Sequence, residues 1–291
     1  MKPKNCLIFG ASGLIGRHLI RKLTQSNFKV TAVTRNVHKK GYYLKLLGNP
    51  GYIDIVESNI FDVEKIRSLV NNADICINLI GILYEKKENY FNLIHSELPS
   101  LLSKVAFESS LKQFIHLSAL GIESASDSNY ALSKLSGEKK VRQNFPDAVI
   151  LKPSIVYSVD DNFTTNFMSL LSMLPVMPLY HGGKTKFTPI HVSDLANIIF
   201  EIVQKKIIGE TIECIGPEVI SFKELILKIL KSINKRRLLL PLPLPLAKIN
   251  AKLFEFMPKP LITLDQLKLL KYDNVVSKKY KTNFDLEMKA N

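Results

Sequence analysis

An apolar run from Cys6 to Phe9 breaks into Gly10-x-x-Gly13-x-x-Gly16, and a helical pattern follows through Leu19, Ile20 and Leu23. No other stretch limits the fold as much. Glycines at this spacing allow a tight turn, close approach of backbone to a pyrophosphate, and close packing of helix on strand. The phosphates then sit on the free N–H groups and positive dipole end of the helix. A glycine triplet alone is turn punctuation. Between an N-terminal strand and a helix it reads as a dinucleotide cradle, with Ser12 and Ile15 in the same turn.

The second strand, Lys29–Thr34, ends where NAD-preferring sites place an acid for the ribose hydroxyls. This chain has Thr34 and Arg35 there, then Asn36, His38, Lys39 and Lys40. A carboxylate would repel a 2′-phosphate, whereas a guanidinium grips it with charge-assisted bonds. The competing reading is a solvated basic loop. NADP(H) is expected ahead of NAD(H).

The 291 residues suffice for one large α/β domain, or for a nucleotide domain with a smaller one attached. A formal charge of +14 suggests an anionic partner. The cations are scattered in pairs such as Lys86-Lys87 and Lys139-Lys140 with no aromatic-interleaved stripe, so no nucleic-acid partner is expected. Cys6, Cys76 and Cys214 are isolated, with neither metal-ligand nor disulfide spacing, and no metal site is expected. The first strand starts about five residues in, so no targeting segment is expected ahead of it, and no apolar run approaches bilayer length. The expected location is cytoplasmic, or peripheral on the cytoplasmic face of the inner membrane (matrix side if organellar).

Strand and helix patterns alternate through the first half. Strands are expected at Tyr52–Glu57, Asp74–Ile80, Gln113–Ser118 and Ala148–Val156, with helices at Val63–Val70 behind an Asp62 cap, Leu98–Glu108 and Tyr130–Gln143. Continuous apolar runs such as Ile75-Cys-Ile-Asn-Leu-Ile80 fit parallel strands covered on both faces. The fold class is α/β: a doubly wound parallel sheet with its ligand crevice at the strands' carboxyl ends, and a smaller C-terminal α+β lobe. Residues 1–160 are assigned to the nucleotide domain and 161–291 to the smaller substrate or partner lobe, some segments returning to the first. In that lobe a helix is expected over Val192–Val203, a strand over Glu210–Ile215, and a Ser221-capped helix through Leu230. Leu240-Pro-Leu-Pro-Leu-Pro-Leu246 excludes an interior helix or central strand. It leads to a helical stripe of Leu246, Ile249, Leu253 and Met257 flanked by Lys248 and Lys252, which either packs on the core or meets a partner or membrane surface.

Tyr130-Ala-Leu-Ser-Lys134 sets a phenol and an ammonium one helical turn apart. A free phenol ionises near pH 10; the Lys134 charge is expected to lower that and make Tyr130 the proton-exchanging group. Lys134 would also hold a ribose. Ser118, ending the fifth strand, is the candidate hydroxyl for polarising a carbonyl, or a strand-end cap. His116 is read as a satisfied core residue. His191 is placed near the crevice, and Asp194 is read as a helix cap.

Together these residues resemble the extended, atypical branch of the short-chain dehydrogenase/reductase superfamily, whose fold is the Rossmann sheet. The resemblance rests on the glycine triplet, Asn78, Ser118, Tyr130-x-x-x-Lys134 and Lys152-Pro-Ser154. Over nearly the whole chain it is similar to the family of NADPH-holding accessory subunits of respiratory complex I and their bacterial relatives. That similarity is carried by Ile77-Asn-Leu-Ile-Gly81, Phe114-Ile-His-Leu-Ser118, Gly137–Val141, Phe145–Ser154, Pro241–Pro245, Phe254-Glu255 and Ile262-Thr263. It implies tightly held NADP(H) without known turnover, complex I subunits as partners, membrane-surface contact, and a role in assembly or stability. The implied cofactor contacts are Gly10, Ser12, Gly13, Leu14, Ile15, Gly16, Arg35, Asn59, Ile60, Ile80, Gly81, Tyr130, Lys134 and Pro153. The alternative is an active NADP-dependent oxidoreductase, epimerase or dehydratase on a sugar nucleotide or other small carbonyl compound, with Ser118, Tyr130 and Lys134 as its catalytic set. Ala119 and Leu120 stand where active extended members carry a second hydroxyl.

Overall fold

The alternating strands and helices of the first half assemble, in a computed structural model describing residues 3–85, 87–242 and 263–290, into one parallel sheet. Its strands are β1 (Asn5–Phe9), β2 (Lys29–Thr34), β3 (Ile53–Glu57), β4 (Ile75–Asn78), β5 (Gln113–Leu117) and β6 (Val149–Pro153), extended by β11 (Thr211–Cys214) and β14 (Lys281–Thr282). The order is β3-β2-β1-β4-β5-β6-β11-β14, and every neighbouring pair is parallel. Strand order reverses between β1 and β4, which opens the crevice at their carboxyl ends.

Parallel strands bury both faces, so alternate residues serve different cores. Cys6 and Ile8 of β1 join a cluster with α1 (Leu14–Gln25) and with α8 (Val192–Lys205), through Leu19, Ile20, Leu195 and Ile198. Leu7 and Phe9 face the opposite cluster, built by α3 (Val63–Asn71), α5 (Leu98–Glu108) and α6 (Asn129–Asn144), through Ile66, Leu102, Val105 and Val141. Burial in these clusters pushes the Cys6 thiol up to about 12 and makes it a core residue, not a nucleophile.

Asp62 caps α3 by accepting from Lys65 N (3.0 Å), as its sequence position predicts. The sixth strand stops at Pro153 instead of running to Val156. Val156-Tyr157 form β7, which leaves the large sheet and pairs with β10 (Ile190–His191). Pro153 has no N–H for a ladder, and the chain turns out of the sheet there. Asp194 is not the cap of α8: His191 is, accepting from Ser193 N through Nδ1, while Asp194 lies inside the first turn. A further difference precedes α5. Tyr90–Asn92 (α4) and a π-helical turn at Leu93–Glu97 join it end to end.

The smaller lobe has its own core of Leu171, Met177, Phe187, Phe222, Ile226 and Leu267. It is built from α7 (Asn162–Met173), α9 (Phe222–Ser232) and two small pairs, β8 (Val176–Leu179) with β13 (Leu238–Pro241) and β9 (Lys186–Phe187) with β12 (Ile220–Ser221). Ser221 and Glu224 form the capping box of α9. The helical stripe read from Leu246, Ile249, Leu253 and Met257, with Lys248, Lys252 and Phe254-Glu255, lies outside the described residues, as do the side chains of Lys39 and Lys40. Among the described residues, no helix is long and apolar enough to cross a membrane.

Candidate nucleotide-binding site

The glycine turn joins β1 to α1. Gly10 has φ +82°, and a Cβ there would come within 3.0 Å of the Leu79 carbonyl carbon, so the loop closes against the end of β4. Gly16 lets α1 seat on the turn, since a Cβ would lie 2.5 Å from Ala11 O. Gly13 differs. Its Cβ would meet only Gly10 O, at 3.1 Å, leaving that side open to a ligand. Gly13 is also the N-cap of α1 and supplies no capping side chain, so the first N–H groups of α1 stay available to phosphate oxygens. These features fit a dinucleotide. Tyr43, which the sequence reading missed, donates its phenol to Ser12 O (3.1 Å) and ties the segment after β2 to the turn.

Arg35 stands exposed just beyond β2, ahead of the one-turn helix α2 (Val37–Lys40), and forms no ion pair among the described residues. Asn59 is exposed after β3, its Oδ1 accepting from Phe61 N (3.1 Å). Ile60, expected as a cofactor contact, is 8 % exposed and packs in the core beneath. Ile80 and Gly81 follow β4, where Asn78 Oδ1 accepts from Ile80 N (3.1 Å). Pro153 closes β6, and its carbonyl accepts from Leu120 N (2.9 Å).

On α6, Lys134 is 3 % exposed and donates to Leu117 O (3.1 Å). That one acceptor leaves two of its three N–H groups unpartnered among the described residues. A Cβ on Gly81 would lie 3.5 Å from its Nζ, so the ammonium borders the loop after β4. A charged donor with spare N–H groups at this end fits ribose hydroxyls. Burial lowers its pKa to about 8.

Tyr130 corrects the sequence reading. Its ring packs edge-on to His95 (5.2 Å) and Phe91 (5.7 Å), and burial, with the Asp265 charge second, raises the phenol to about 12 instead of lowering it. Lys134 does not offset this. Ser118 is buried at the end of β5, and its hydroxyl donates to Glu138. Glu138 also holds Lys152 (2.8 Å), which in turn reaches Glu123 (2.6 Å). The Ser118 proton is therefore engaged inside the protein, not offered to the crevice.

His95, in the π turn, was unread in the sequence. Ser133 Oγ donates to Tyr130 O (2.8 Å), so His95 Nδ1–H donates to Ser133 (3.0 Å) and Nε2 accepts from Ile82 N (3.1 Å). Burial and the Lys134 charge hold this imidazole neutral, down at about 2. His95 thereby ties the loop after β4 to α6. His116 is only half satisfied: Nδ1 accepts from Asn78 Nδ2 (3.2 Å), while the buried Nε2 has no partner among the described residues. His191 stands at the α8 cap with its ring against Tyr157 (5.2 Å).

Comparison with known proteins agrees with this geometry. The model of the NAD dependent epimerase/dehydratase family matches residues 6–214. The mitochondrial NADH dehydrogenase (ubiquinone) 1 alpha subcomplex subunit 9 of Arabidopsis thaliana is 29 % identical over 282 residues, covering 93 % of this chain and 70 % of that protein. The mitochondrial NADH-ubiquinone oxidoreductase 40 kDa subunit of Neurospora crassa is 26 % identical, covering 96 % and 74 %. Among solved structures, gox2253 superposes with a TM-score of 0.76 at 17 % identity over 99 % of this chain and 93 % of that one, a likeness of fold.

Proposed function

The chain belongs to the NAD dependent epimerase/dehydratase family, and from that premise we propose that it is an NADPH-holding, short-chain-dehydrogenase-like subunit with a structural or assembly role in respiratory complex I. The family implies a nicotinamide cofactor. The observation that carries the rest is similarity to complex I subunits across more than nine-tenths of this chain, small lobe included. In this reading Gly10, Gly13 and Gly16 seat the pyrophosphate on α1, Arg35 takes the 2′-phosphate, and Lys134 holds the nicotinamide ribose. Bound NADPH would supply hydride chemistry. The chain's own residues serve retention better than turnover: the phenol stays protonated at neutral pH, and the Ser118 hydroxyl is already donated to Glu138.

The preference for NADP(H), the complex I partners and the location at the membrane's inner face are parts of this proposal. Solubilised membranes resolved on a native gel test it. The protein is expected to migrate with complex I subunits and to release NADPH on acid extraction. Migration alone, with Tyr130-dependent turnover of a sugar nucleotide, would replace it with the epimerase reading.

A further inference from the structure

The first turn of α6 is held by a residue 135 positions away. Asp265, at the start of the short helix Leu264–Leu269, accepts from Ser128 Oγ (2.7 Å) and Tyr130 N (3.0 Å) through Oδ2, and from Asn129 N (2.8 Å) through Oδ1. Ser128 is itself the N-cap, accepting from Ala131 N (3.3 Å). Local capping serves one of the helix's opening N–H groups; Asp265 serves the other two and holds the cap as well. It is not a loose surface contact: its side chain is 17 % exposed.

The helix bearing Asp265 is fixed from both directions. Leu267 packs in the small-lobe core, and Thr263 and Gln266 form its capping box. Gln266 Nε2 donates to Leu83 O (3.3 Å) in the loop after β4. Further along, Lys271 pairs with Asp127 (2.6 Å), and Asp273 Oδ1 accepts from Lys186 N (2.8 Å). Residues 263–274 thus form a strap that leaves the small-lobe core, crosses to the loop after β4 and the start of α6, and returns.

We propose that Asp265 is the positioning residue of the nicotinamide end of the crevice, setting where Tyr130 and Lys134 stand by fixing the first turn of α6 from the small lobe. This rests on reading the crevice as a dinucleotide site. Tyr130 N is bonded directly, and Lys134 follows one turn later on the same face. The adenine end, built from the glycine turn, Arg35 and Asn59, shares no hydrogen bond or ion pair with the strap among the described residues and is seated by β1, β2 and β3. Loss of Asp265 therefore acts on one half of the ligand. A general loss of structure would act on both.

The experiment is calorimetric titration of the full chain with NADPH and with 2′-phospho-ADP, which lacks the nicotinamide and the ribose that carries it. Asp265→Asn keeps only one acceptor oxygen. It is expected to weaken NADPH about tenfold or more while 2′-phospho-ADP stays within about twofold. Asp273→Asn, at the far end of the strap, should leave both within about twofold. Unchanged NADPH affinity in Asp265→Asn, or equal loss of both ligands, overturns the proposal. If Asp265→Asn does not fold, Asp265→Glu keeps the charge but moves it by one methylene, and must show the same split. A wild-type chain that prefers NADH would refute the 2′-phosphate reading alone, and the pair NADH and ADP would then serve. A chain that binds neither dinucleotide refutes both readings.

Discussion

Burial brings the Lys134 ammonium toward neutrality, and its two linkages have opposite signs. Its pKa is about 8 in the folded chain against 10.5 for a free lysine. Between those values the unfolded chain holds a proton that the folded chain has released, so stability of the empty protein rises with pH there. A ribose hydroxyl needs the charged donor, so NADPH affinity should fall as pH rises through about 8, by about tenfold between pH 7 and 9. Melting and binding followed against pH, each compared with Lys134→Met, check the pair of trends; parallel trends would refute the role. Arg35→Asp exchanges a guanidinium for a repelling carboxylate and should cost NADPH roughly 10- to 100-fold while NADH is spared. Equal wild-type affinities for the two would remove Arg35 from the site. Gly13→Val should abolish dinucleotide binding with little change in melting temperature, because within the chain its Cβ would meet only Gly10 O. At this scale the turn at Gly10 and Gly13 and the place of Lys134 on α6 were legible because their spacing is local. It could not disclose that the Tyr130 phenol is raised, since burial and Asp265 act from outside the helix that carries it.

Helices and strands depend on a few close approaches. The face of α6 meets the π turn at Gly137, where a Cβ would fall 1.8 Å from His95 O. Gly137→Ala gains helix propensity worth about 1 kcal/mol yet must part the two elements. Overpacking of this kind costs about 1–3 kcal/mol or more. A net fall in melting temperature of several degrees is expected, and with it loss of the His95–Ile82 bond that steadies the loop after β4; an unchanged midpoint would show that the elements can slide apart. Caps at Asp62 and Ser221 were legible because a cap and its helix adjoin in sequence. The π turn was not legible: the helix was expected only from Leu98, and packing on Gly137 and Ser133 is what distinguishes Leu93–Glu97. Likewise Ala148–Val156 reads as one apolar strand, and only the partner sheet decides that it divides after Pro153.

In the molecule as a whole, the alternation of apolar strands foretold the doubly wound sheet, whereas its closing edge was hidden. β14 has just two residues, and its place beside β11 is set by burial of Met288 and Ala290 against α1 and α8's cluster. Deleting residues 275–291 should therefore destabilise a chain whose motifs are all intact, by more than the about 2–3 kcal/mol of one buried Met side chain. Solubility and chemical denaturation of the truncated chain check this, and wild-type stability would refute it. The same edge has a consequence for biosynthesis. Strands β1 to β6 and β11 are complete by Cys214, yet the strand that covers β11 emerges some seventy residues later. At typical translation rates the nascent sheet waits roughly 5–10 s with a bare hydrogen-bonding margin. During that interval a chaperone or a neighbouring nascent chain, not the protein's own tail, is the available partner for β11.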